Sequence, residues 1–197
     1  LFQYDEQLLW RPSVNMSIPN FITSIRVLLI PVLVLVFYLP FEGRYLASAA
    51  IFTIASISDW LDGYLARRWD QYTQFGAFFD PVADKLIVAV ALVLLVEEHA
   101  SLLLTIPAMI IIGREIVISA LREWMAELGK RTSVAVSYIG KLKTTLQMVA
   151  IIVLLLDAAN SVAASVGLVL LYGSAVLTLW SMVIYLAAAW SELTKDI

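Results

Sequence analysis

Cysteine is absent from the chain and histidine occurs once, at His99. Disulfides and thiolate metal sites are therefore excluded, and one imidazole cannot build a multi-histidine centre. Any metal held by side chains must be held by carboxylates. Charge is scarce as well, at 15% of residues, and the formal net charge of −3 argues against nucleic acid as a partner. Sustained alternation of apolar and polar residues is missing, which disfavours an outer-membrane barrel. Residues 1–15 lack a basic start followed by an apolar stretch, so they do not read as a signal peptide. No internal repeat and no second domain stand out.

What the chain does have is apolar surface in excess. Of its 197 residues, 61% are hydrophobic, where a soluble domain is nearer half. These residues fall into six runs, at about residues 21–39, 45–66, 79–96, 102–125, 134–156 and 162–189. Each is near the roughly 20 residues that cross a bilayer. Backbone groups in lipid must pair internally, so the runs predict helices. The expected fold is all-α, a polytopic membrane protein with six transmembrane helices. Met16 precedes the first run and is read as the natural start. Residues 1–15 are then an N-terminal extension or a cloning remnant, and residues 16–197 form a single transmembrane domain. Arg67, Arg68, Arg122, Lys130, Arg131 and Lys195 cluster at one set of run ends, whereas the opposite ends carry only Arg44. The excess of cations on the cytoplasmic side puts both termini in the cytoplasm. Trp69, Trp124 and Trp190 lie near run ends, where they either anchor at the interface or pack. His99, beside Glu97 and Glu98, is expected to be solvated, and Met109, Met125, Met148 and Met182 to be apolar filler.

The chemistry concentrates in two short segments, Ser58 to Arg68 and Gly76 to Asp84. Asp59 and Asp62 are three apart at the end of the second run, and Asp80 and Asp84 are four apart at the start of the third. Both spacings put a pair on one helix face. Pro81 disfavours helix in the residue before it, so a kink or a helix start near Asp80 is expected. Four carboxylates beside lipid need a positive partner. A hard divalent cation is the simplest, and an all-oxygen donor set favours Mg²⁺ or Mn²⁺ over Zn²⁺. Four aspartates suffice to bridge two ions, an arrangement suited to phosphoryl-type transfer. Gly63 and Gly76, with Ala66, either let a phosphate approach closely or let helices pack. Arg67 either grips a pyrophosphate or anchors the helix end.

The full run reads Asp59-x2-Asp62-Gly63-x2-Ala66-Arg67-x8-Gly76-x3-Asp80-x3-Asp84. It resembles the signature of the CDP-alcohol phosphotransferase family at all eight specified positions. Ile18 to Arg26, Gly113-Arg-Glu, Leu121-Arg-Glu-Trp124 and Ile139 to Thr144 further resemble bacterial members acting on glycerol 3-phosphate, and the likeness runs from Met16 to the C-terminus. The resemblance implies six transmembrane helices, a homodimer, and a site open to the cytoplasm of the bacterial inner membrane. It implies displacement on the β-phosphate of CDP-diacylglycerol by an alcohol, with release of CMP. Carried onto this chain, Asp59, Asp62, Asp80 and Asp84 would hold the metals, and Asp84 would also be the general base. Asp59, Asp62, Gly63, Ala66, Arg67 and Gly76 would line the CDP-lipid pocket. Asn20, Thr23 and Arg26 resemble the family's site-facing group at the first helix, or else cap and anchor that helix.

Arg114 and Arg122 are eight residues apart, a little over two helical turns, and so share a side of the fourth run. Lys141 and Lys143 lie in the fifth. Cations at such positions need an anion, supplied by the aspartates, by Glu115 and Glu123, or by a ligand phosphate. Lys143 and Arg122 are also placed to snorkel to the interface. A phosphorylated acceptor, sn-glycerol 3-phosphate, fits this cluster better than serine does; inositol phosphate fits it too. A carboxylate-lined ion transporter would explain buried aspartates but not Gly63, Ala66, Arg67 and Gly76 at fixed spacing.

Overall fold

In the computed structural model, residues 18–69, 74–127, 138–156 and 161–193 are described. They form six helices: α1 (Ile18–Tyr38), α2 (Arg44–Trp69), α3 (Gln74–His99), α4 (Leu102–Glu127), α5 (Tyr138–Leu155) and α6 (Val162–Leu193). No strand occurs among the described residues. Each expected run overlaps one helix, the start of the fifth run lying outside the described residues. One boundary differs clearly: α3 begins at Gln74, well before Asp80, and carries Pro81 inside it. Proline there removes one hydrogen bond to the carbonyl four residues back, but Pro31 in α1 and Pro107 in α4 sit inside helices too. Long apolar helices tolerate this because neighbouring groups re-satisfy the freed carbonyl.

The helix ends have local causes. Pro40 follows α1, and the residue before a proline is steered out of the helical region. Ala100 ends α3 in the left-handed region at φ 43°, with its N–H donating to the Val96 carbonyl at 3.0 Å. Ser101 and Ser161 cap the next helices, their hydroxyls accepting from Leu103 N–H at 3.2 Å and Ala164 N–H at 2.9 Å. Within the helices, Thr53, Ser56, Thr105 and Thr144 donate their hydroxyls to carbonyls four residues back, which hides polar groups inside apolar segments.

Packing departs from chain order. α1 packs on α2 and α3, α6 on α5 and α4, and α3 touches α2, α4 and α5. Among the described residues the backbones of α4 and α5, though consecutive, do not come close, and a side-chain ion pair from Lys143 to Glu115 joins the two helices. The core is aliphatic and aromatic, with Leu33, Phe37, Phe52, Ile87, Leu92, Leu95, Ile111, Ile151 and Leu154 fully buried. The outer faces are equally apolar: Leu28, Leu35, Leu46, Ile54, Met109, Ile116, Val169, Val176 and Trp180 are exposed. Of the methionines expected to be apolar filler, Met109 faces outward and Met125 is buried. By length and composition α4 and the segment Val162–Ala187 of α6 can each cross a membrane. Trp124 and Trp190 point outward at helix ends rather than packing inward.

At one end of the bundle α1, α2 and α3 are tied by polar contacts. Tyr38 donates to Glu97. Arg44 and the Tyr45 hydroxyl both donate to Glu98 Oε1, at 3.1 and 2.6 Å. His99 is half-buried here rather than solvated, with Nδ1 3.0 Å from the Leu95 carbonyl. The last turn of α3 turns the imidazole back along its own helix, and Nε2 finds no partner among the described residues.

Candidate active site

The two halves of the aspartate motif lie at the joined ends of α2 and α3, which stop at Trp69 and resume at Gln74. The side chains of Asp59, Asp62, Gly63, Ala66, Arg67, Gly76 and Asp80 lie outside the described residues, as do those of Asn20 and Lys141. Asp84 is described. It is half-buried and lines a cavity of about 220 Å³ enclosed by α3, α4, α5 and α6. One water needs about 10–15 Å³ on such a measure, so this space admits a small polyatomic ligand.

Arg114, Arg122 and Lys143 line the same cavity as Asp84. Arg114 and Lys143 are almost fully buried, with 8% and 5% of their surface exposed. Lys143 therefore turns inward and does not snorkel. One carboxylate oxygen, Glu115 Oε1, accepts from both Arg114 Nη1 and Lys143 Nζ, each at 2.8 Å. Arg114 Nη2 donates to Ser181 Oγ at 3.2 Å, and Ser181 passes its own proton to the Thr178 carbonyl at 2.9 Å. Arg122 is exposed, and its Nη2 donates to the Tyr185 hydroxyl at 3.2 Å. The Tyr185 ring faces both guanidiniums, at 5.3 Å from Arg122 and 5.8 Å from Arg114. Lys85, next to Asp84, donates to Ser119, which donates in turn to the Glu115 carbonyl.

Among the described residues that line this cavity, Lys85, Arg114, Arg122 and Lys143 stand against Asp84 and Glu115, two more positive charges than negative. Arg114 Nε is buried and has no hydrogen-bond partner among the described residues. A buried donor without an acceptor costs about 1–3 kcal/mol, and an anionic oxygen would satisfy it. The described part of the wall therefore suits an anionic oxygen beside Arg114.

Thr23 and Arg26 are fully buried, 1% and 0% exposed. A helix anchor at a water interface would be exposed, so the anchoring alternative does not fit either residue. A second, apolar cavity of about 450 Å³ lies between α3 and α4, walled by Pro81, Val82, Leu86, Ile112 and Ile116, and meets the polar one at Lys85, Val88 and Glu115.

Sequence reasoning considered Glu115 only as one possible counter-ion and missed Ser181, Tyr185, Lys85 and Gln147. A signal existed for the α6 pair. Ser174, Thr178, Ser181 and Tyr185 recur at steps of four, three and four, a polar stripe on a helix that is otherwise apolar. On α5, Gly140, Lys143 and Gln147 recur in the same way.

Comparison with known proteins accords with this geometry. The profile of the CDP-alcohol phosphatidyltransferase family matches residues 16–187. A protein of Salmonella choleraesuis strain SC-B67, named CDP-diacylglycerol–glycerol-3-phosphate 3-phosphatidyltransferase, is 59% identical over 177 residues, covering 90% of this chain and 97% of its own. Proteins of the same name from Shigella flexneri and Sodalis glossinidius (strain morsitans) are 58% and 55% identical, over 90% and 91% of this chain and 97% and 98% of theirs. With a match spanning α1 to α6 and relatives this similar over their whole length, the chain belongs to the CDP-alcohol phosphatidyltransferase family.

Proposed function

We propose that the chain transfers the phosphatidyl group of CDP-diacylglycerol to sn-glycerol 3-phosphate, giving phosphatidylglycerol phosphate and CMP. Family membership and the relatives' names support the reaction type. The observation that carries the acceptor is the cavity, where, among the described residues, Asp84 faces Arg114, Arg122 and Lys143 with two positive charges in excess. A phosphate monoester dianion matches that excess, and serine, lacking a phosphate, does not. Arg and Lys bind it by charge-assisted hydrogen bonds, with Arg114 Nε as a ready donor.

In this reading the acceptor's phosphate docks on Arg114, Arg122 and Lys143, with Lys141 contributing from the same helix, and its free hydroxyl lies toward Asp84. Asp84 takes the hydroxyl proton as the oxygen attacks the β-phosphorus; the bond from that phosphorus to the CMP oxygen breaks, and CMP leaves. Asn20, Thr23, Arg26, Gly63, Ala66, Arg67 and Gly76 line the CDP-lipid side. Asp59, Asp62, Asp80 and Asp84 would hold Mg²⁺ or Mn²⁺, four carboxylates being enough for two ions. The donor chemistry fits a hard cation: the chain's one imidazole is 15 residues beyond Asp84 on α3, about 22 Å along the axis at 1.5 Å per residue. Bound divalent ions would offset the phosphate charge and the charge that develops during transfer.

The same reading makes the chain a bacterial inner-membrane protein with six spans, both termini and the site on the cytoplasmic side. Its apolar outer faces support this. So does Arg44, the lone cation at the opposite end, which is paired with Glu98 at 3.1 Å. A single domain from Met16 onward is supported by the match over residues 16–187. A homodimer follows from the family resemblance alone; the mass of the purified protein in detergent tests it.

The test of function is CMP release by purified protein from CDP-diacylglycerol with Mg²⁺ or Mn²⁺ and a panel of alcohols. Turnover is expected with sn-glycerol 3-phosphate. Silence with every acceptor would sink the enzymatic reading, and turnover with inositol phosphate alone would move the chain within its family.

A further inference from the structure

Gln147 is a buried polar side chain that neither the family motif nor the cation cluster accounts for. It lies on α5 one turn beyond Lys143, is 4% exposed, and lines the cavity shared by Asp84 and Arg114. Its Oε1 has no hydrogen-bond partner among the described residues. Buried amide oxygens are nearly always paired, so an orphan on a cavity wall points to a donor supplied from within the cavity. The cavity's other described groups leave it unpaired, Lys143 and Arg114 being engaged by Glu115.

Two residues that line this cavity each carry an orphan, and the two orphans are complementary in kind. Arg114 Nε is a donor lacking an acceptor, and Gln147 Oε1 an acceptor lacking a donor. A fully ionised phosphate monoester group satisfies the first and not the second. A phosphorylated polyol satisfies both, through a phosphate oxygen and a hydroxyl hydrogen. We propose that Gln147 is a specificity-determining residue that accepts a hydrogen bond from the non-reacting hydroxyl of the acceptor alcohol. This rests on the reading of the cavity as the acceptor site. It assigns separate tasks to the polar groups: the cations hold the phosphate, Asp84 takes the proton of the attacking hydroxyl, and Gln147 reads the hydroxyl that does not react. A site that hydrogen-bonds a substrate hydroxyl rejects the analogue lacking it, because its own polar group is then left unpaired.

The test compares sn-glycerol 3-phosphate with 3-hydroxypropyl phosphate, which keeps the phosphate and the attacking hydroxyl but lacks the central one. Wild-type protein is expected to favour the first in kcat/KM by about tenfold or more, the worth of one hydrogen bond. Gln147→Met, similar in length and without the amide, is expected to remove that preference by lowering kcat/KM for sn-glycerol 3-phosphate, leaving 3-hydroxypropyl phosphate and the KM for CDP-diacylglycerol nearly unchanged. Equal losses on both acceptors would mean a general structural role and overturn the assignment of Gln147. Equal use of both acceptors by wild-type protein would overturn it without any variant. No CMP release by wild-type protein with either acceptor would overturn the acceptor-site reading itself, and this inference with it.

Discussion

Arg114 makes three kinds of contact at once: an ion pair to Glu115, a hydrogen bond to Ser181 and a ring contact to Tyr185. These leave Nε as its spare donor. A charge-assisted hydrogen bond is worth about 1.5–3 kcal/mol. Arg114→Ala is therefore expected to raise the KM for the acceptor by roughly 10- to 100-fold, with the KM for the CDP lipid little changed. Equal effects on both would assign Arg114 to structure alone. Asp84→Asn keeps the shape and removes the basic oxygen; turnover should vanish while binding of the CDP lipid, measured directly, persists. Ala100 offers a stability test remote from the site. Its φ of 43° disfavours any Cβ by about 1–2 kcal/mol. Ala100→Gly should raise the melting temperature in detergent without altering turnover. Residue identity was legible at this scale where charge stood against an apolar background, as at Arg114 and Lys143. It was not legible for Gln147 or Tyr185, whose side chains are ordinary until the helices that face them are known.

At the scale of elements, apolar periodicity was enough to find each helix, because each is a long apolar run bounded by Pro, Ser or paired carboxylates. Of the two expectations at Pro81, a kink or a helix start, the start fails, because α3 runs on continuously from Gln74 through Pro81. Chain order predicts most helix neighbours, the motif helices α2 and α3 among them, but it fails for α4 and α5, whose backbones both pack on α6 instead. Close approach of α5 and α6 has a specific cause at Gly167. A Cβ built there would lie 2.7 Å from Leu154 Cγ and 3.3 Å from the Ala150 carbonyl. Leu154 is itself fully buried and cannot swing away. Gly167→Ala is expected to cost about 1–3 kcal/mol as overpacking. Gly173, one and a half turns on, meets nothing within 4 Å, so Gly173→Ala should be neutral or stabilise by up to about 1 kcal/mol through helix propensity. Thermal unfolding of the two variants side by side checks the contrast. Equal shifts would remove Gly167 as the point of closest contact.

The whole molecule has two unlike ends, and the proposed membrane topology rests on the contrast between them. At one end the motif helices meet and most of the chain's cations gather, while at the other Tyr38, Arg44, Tyr45, Glu97 and Glu98 close into a compact polar knot. Pairing leaves Arg44 little free charge with which to oppose retention of the cation-rich end on the cytoplasmic side. The absence of cysteine makes this orientation directly measurable, because a single introduced thiol is the only one present. Glu42 is exposed in the turn between α1 and α2, at the knot, and Glu127 is exposed at the opposite end of α4. The 26 residues of α4 extend about 39 Å, enough to separate the two positions across a bilayer. Glu42→Cys should react with a membrane-impermeant maleimide in intact spheroplasts, and Glu127→Cys only after permeabilisation. Reaction of both thiols from outside would overturn the proposed orientation. The reverse pattern would put the aspartate motif on the face of the membrane away from the cytoplasm, where a cytoplasmic phosphorylated acceptor could not reach Asp84.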